Sequence, residues 1–93
     1  MDTIVAAIES SKDATEVFAA LNRFFAWMRG TRPDLNALTS LHVSSVRDIV
    51  GCCAAVRAAT RRKRLTRQLL DDVLYVEQVL CAAWEKLQKL HDT

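Results

Sequence analysis

The chain has 93 residues, 51% of them apolar, and a formal net charge of +2. A chain of this length holds one domain, residues 1–93, and its composition excludes a disordered coil. Two glycines and one proline are too few turn residues for a sandwich or barrel of many short strands.

Asp2 can cap a first short helix from Thr3 to about Glu9, with Ile4 and Ile8 on one face. Ser10-Ser11 interrupts the pattern, and Asp13 with Glu16 has the spacing of a capping box. The next helix is expected from about Ala14 to Arg29. Val17, Leu21, Phe24 and Met28 recur at helical spacing, and Phe18, Phe25 and Trp27 widen that stripe. Gly30 stands where a left-handed C-cap favours glycine. One bent helix through Ser11 is the alternative to two helices.

Pro33 suits the first turn of a short helix to about Leu38. Ser45 and Asp48 again have capping-box spacing and open a helix to about Arg61. Val46, Ile49, Cys53, Val56 and Thr60 form its expected buried stripe, while Gly51 and four alanines keep the remaining surface small. Past Thr60 the stripe would need apolar residues where Lys63 and Arg67 stand, so the phase slips. Thr66 can cap a new helix, which favours a tight turn at 62–65 over one continuous helix. From Leu69 the residues Val73, Val76, Leu80, Ala83, Leu87 and Leu90 alternate spacings of 4 and 3, a seam of coiled-coil type. Leu70, Leu74, Cys81 and Trp84 add a second apolar row. The expected fold is an all-α, antiparallel bundle of three main helices plus one or two short ones. Such a small domain buries little surface alone, so the second row predicts a homodimer on residues 69–90, with Leu80, Trp84 and Leu87 near its centre.

The longest uncharged stretch, Leu35 to Val46, has 12 residues and cannot span a bilayer. No basic segment followed by an apolar run opens the chain, which points to a cytoplasmic protein. Cys52, Cys53 and Cys81 are odd in number, and the adjacent pair diverges on a helix, so free thiols are expected rather than a disulfide framework. By this phasing Cys52 lies off the buried stripe and reacts first. Neither His42 nor His91 makes a metal-ligand spacing with them, and no metal or other cofactor is expected.

No catalytic arrangement is visible. The chain has no glycine-rich phosphate loop and no Glu-x-x-His motif, and Asp71-Asp72 suits the first turn of a helix. The reading is therefore non-enzymatic. Phe24, Phe25 and Trp27 could stack on bases, but at this spacing they are read as core.

Charge is the distinctive feature. Arg57 to Arg67 contains Arg57, Arg61, Arg62, Lys63, Arg64 and Arg67 and no acid, so this window carries +6 and the rest of the chain −4. On a continuing helix Arg47, Ala54, Arg57, Arg61 and Arg64 fall within an arc of about 100°. Such a ridge can follow phosphates without reading bases. Arg47, Arg57, Arg61, Arg62, Lys63, Arg64 and Arg67 are the candidate nucleic-acid contacts. The bland alternative is a solvated helix end, neutralised in part by Asp71 and Asp72.

The order of elements resembles the small double-stranded-RNA-binding silencing suppressors of nodaviruses over roughly residues 1–65. The matching features are Asp34-Leu35, Leu38 and Leu41 with the arginines that follow. The long final heptad helix departs from that pattern. The resemblance implies sequence-independent binding of A-form RNA through shape and backbone. The leading expectation is a dimer that binds duplex RNA, in the suppressor role the resemblance implies. The alternative is a helical adaptor or inhibitor that regulates a protein partner, which would be acidic where it meets the arginines.

Overall fold

The computed structural model describes residues 3–32, 42–62 and 66–92, which form four α-helices and no strand. They are α1 (Thr3–Glu9), α2 (Ala14–Thr31), α3 (Val46–Arg62) and α4 (Arg67–Asp92). The all-α class follows. Asp2, Asp34-Leu35, Leu41 and the short helix expected from Pro33 to Leu38 lie outside the described residues.

Two breaks expected from capping chemistry are present. Asp13 accepts from the Glu16 backbone N–H at 2.9 Å, and the Glu16 carboxylate accepts from the Lys12 N–H. Ser11 is buried, and its hydroxyl donates to the Ala7 carbonyl at 2.9 Å, so α1 closes before α2 opens. Thr66 accepts from the Leu69 N–H at 3.2 Å at the start of α4. Residues 46–62 and 67–92 are thus two helices, and they pack on one another.

α4 is the central element and packs against each of the other three helices. Its seam supplies Val73, Val76, Leu80, Ala83 and Leu87 to one continuous core, which also takes Val79. The core is completed by Ile8 of α1, the Val17–Leu21–Phe24–Met28 stripe of α2 with Phe25, and Val43. Each large side chain fully removed from water there contributes about 1.5–3 kcal/mol.

Three sequence expectations are corrected. Gly30 is no C-cap: α2 runs through Thr31, the Arg32 N–H bonds the Met28 carbonyl at 2.7 Å, and no glycine has a positive φ. Trp27 is 55% exposed, because it lies about 120° round the helix from Leu21. On α3 the core face is Ile49, Cys52 and Val56, spaced 3 and 4. Val46 and Cys53, expected on that face, fall to its flank: Val46 is exposed and Cys53 half-buried.

Candidate nucleic-acid interface

α3 owes its start to Ser44, Ser45 and Asp48. The Asp48 carboxylate accepts from the Ser44 N–H at 2.8 Å and from the Ser44 hydroxyl at 3.2 Å, and the Ser45 hydroxyl faces the Asp48 N–H at 3.4 Å. The Ser44 N–H holds the Asp48 carboxyl below its ordinary value against slight desolvation, with help from both serine hydroxyls. The segment before α3 is anchored by Asn22 of α2, which bonds both the N–H and the carbonyl of Val43. These contacts fix how α3 lies on the core, and hence which side chains it turns outward.

The outward face of α3 is basic. Arg47, Arg57 and Arg61 are all exposed, and Arg67 is exposed at the start of α4. Arg47 and Arg61 are separated by about 21 Å of helix rise. None of these four arginines is ion-paired among the described residues. The neutralisation anticipated from Asp72 is directed elsewhere: Asp72 accepts from Arg32 Nε at 3.1 Å and from Gln68 Nε2 at 3.2 Å. The Arg62 side chain, Lys63 and Arg64 lie outside the described residues.

Arg57 differs from its neighbours in setting. With Val50, Cys53 and Ala54 it lines a groove of about 320 Å³ whose other wall is α4, with Cys81, Trp84 and Glu85. Val50 is 52% exposed and Trp84 38%. Leu80 and Leu87 face the chain's own core, so of the three residues expected at a subunit contact only Trp84 reaches the surface.

The aromatic cluster divides. Phe24 and Phe25 are buried, and Trp27 stacks on Phe24 from outside with centroids 6.3 Å apart. Tyr75 meets Phe24 edge-on at 5.5 Å. Arg23, Trp27 and Tyr75 line a second groove of about 510 Å³.

All three cysteines are free. Burial pushes the Cys52 thiol above its usual range, and burial followed by the neighbouring Cys81 does the same to Cys53. Among the described residues no three His, Cys, Asp or Glu side chains gather as a metal would require. No described helix is long and apolar enough to cross a membrane.

Helical periodicity alone could have found the α4 wall of the groove, because Trp84 falls just outside the core stripe of α4. The Asn22–Val43 clamp and the Arg32–Asp72 pair have no sequence signal, since each joins residues far apart in the chain. No family model matches this chain, and no curated protein or solved structure is significantly similar to it.

Proposed function

We propose that the chain is a non-enzymatic protein that binds the phosphate backbone of a duplex nucleic acid, duplex RNA first. One observation carries this reading: an exposed row of arginines with no acidic partner among the described residues, while the nearby Asp72 is bound to Arg32. Arg47, Arg61 and Arg67 serve as phosphate contacts, continued by Arg62, Lys63 and Arg64. Guanidinium groups suit this role because each offers a planar fork of donors to phosphate oxygens. α3 holds Arg47 and Arg61 on one stiff helix, which fits a regular duplex better than a flexible strand. RNA is ranked before DNA because the order of elements in the sequence resembles that of the nodaviral suppressors, whose silencing-suppressor role goes with that choice. In this reading the four helices form an antiparallel bundle, act as a homodimer and work in the cytoplasm, where free thiols persist.

The α3–α4 groove favours a second reading, a helical adaptor that regulates a protein partner. A mobility shift with duplex RNA, duplex DNA and single strands at low salt separates the two. Retardation of duplexes ahead of single strands is expected, and no retardation of any probe leaves the adaptor reading.

A further inference from the structure

α4 carries two seams, and its own chain fills one of them. The second runs at positions 70, 74, 77, 81, 84 and 88, again at spacings of 4 and 3, which is the interval of a helix facing another helix. Leu70, Leu74, Cys81 and Trp84 on it are exposed. Exposed apolar side chains at partner-helix spacing are the mark of a covered face rather than of scattered surface residues.

The charges beside this seam identify what covers it. The α3 edge of the groove is cationic, with Arg57 in its lining and Arg47 and Arg61 further out. The α4 edge is anionic, with Glu77 on the seam and Glu85 in the lining. A partner of one charge would leave one edge opposed to its own sign. A face with a cationic edge and an anionic edge is self-complementary, which is what a two-fold contact demands. The heights along the groove agree. Cys53 and Cys81 line it together. Arg57 lies four residues after Cys53, and Glu77 four before Cys81. Val50 lies three before Cys53, and Trp84 three after Cys81. On two helices running in opposite directions, Arg57 is level with Glu77 and Val50 is level with Trp84.

We infer that the α3–α4 groove is the homodimer interface: a second copy lies across it, related by a two-fold axis along the groove. α3 of each copy then covers α4 of the other. Arg57 meets Glu77 of the second copy, and Val50 meets Trp84 of the second copy, each twice. This inference deepens the dimeric part of the proposed function by naming its surface. It also assigns Arg57 to the subunit contact and leaves the phosphates to the arginines further out.

Sedimentation equilibrium of the full chain without nucleic acid tests it, with circular dichroism to confirm that each variant stays helical. Wild type is expected at twice the chain mass, and Trp84→Glu at the mass of one chain with helicity retained. Arg57→Glu and Glu77→Arg should each weaken the dimer roughly tenfold, and the double charge swap should recover most of that loss. A wild type that stays monomeric at about 100 μM overturns the dimer itself, since a specific interface of standard size holds below that concentration. A Trp84→Glu variant that remains dimeric, or a double swap no better than the single variants, overturns the assigned face and leaves dimerisation standing. No arm uses nucleic acid, so the phosphate-binding reading is judged separately.

Discussion

Asn22 and Val43 exchange two hydrogen bonds across 21 residues of sequence: the Asn22 side-chain N–H₂ donates to the Val43 carbonyl at 2.7 Å, and its side-chain oxygen accepts from the Val43 N–H at 2.8 Å. One amide therefore satisfies both polar groups of a backbone unit that enters the core, for the Val43 side chain is fully buried. The clamp seats the approach to α3 on α2 and so sets the direction of the basic face.

Removing the clamp should be costly. Asn22→Ala leaves the Val43 N–H and carbonyl without their partners, and a loss of about 2–3 kcal/mol is expected in urea unfolding. Asn22→Asp keeps the acceptor but turns a carboxylate toward the Val43 carbonyl. It should be destabilised at neutral pH and partly recovered in acid, when the carboxyl regains a donor. An Asn22→Ala variant as stable as wild type would show that the clamp contributes nothing.

Much of this fold is legible in the sequence because short-range periodicity and caps act within a few residues. Asp13, Ser45 and Thr66 mark helix starts by a chemistry that operates over three positions, and the α4 seam declares itself over three heptads. The errors occur where that chemistry is ambiguous. Cys52 and Cys53 are both apolar enough for the core, and their 100° difference is decided by how α3 docks on α4. Gly30 is compatible with a C-cap, yet two further helical bonds carry α2 past it. The arginine row was visible as composition. The absence of a carboxylate partner among the described residues was not, because Asp72 is claimed by Arg32 from another part of the chain.

Gly30 tests the corrected end of α2, and Gly51 the interior of α3. Both lie inside helices with ordinary φ, and an added Cβ at either meets nothing within 4 Å. Gly30→Ala and Gly51→Ala should each raise stability by about 0.5–1 kcal/mol, read from the midpoint of urea unfolding. Destabilisation by Gly30→Ala would restore the left-handed cap.

Thiol labelling reports the phase of α3. Cys81 is exposed, Cys53 half-buried and Cys52 only 1% exposed. Burial raises the pKa of Cys52 and Cys53 and so lowers the thiolate fraction that reacts. Mass spectrometry after a time course with iodoacetamide should find Cys52 modified last, and protected until the protein unfolds. Early labelling of Cys52 would return the helix to the phase expected from sequence.

Asp48 gives the fold an acid limb. Its folded pKa lies below the ordinary aspartate value of 3.8, so the carboxylate binds its proton less readily in the native state than in the unfolded chain. The contribution is therefore present above about pH 4 and is lost as pH falls through the lowered folded value. Asp48→Asn should be less stable than wild type at pH 7, and the difference should shrink in acid. A difference that does not change between pH 7 and about pH 3 would remove Asp48 from the cap.

The salt dependence of duplex RNA affinity decides whether the arginine row binds phosphates. Lysine and arginine contacts to phosphates release condensed counterions, and five or six of them give a log–log slope of about −4.5 to −5.5. Wild type should show a slope of that size, with little change when the duplex sequence is altered. The Arg47→Glu/Arg61→Glu variant, helical and of the same oligomeric state, should bind much more weakly and with a shallower slope. A wild-type affinity indifferent to salt, or a double variant that binds as tightly as wild type, would rule out phosphate binding by this face.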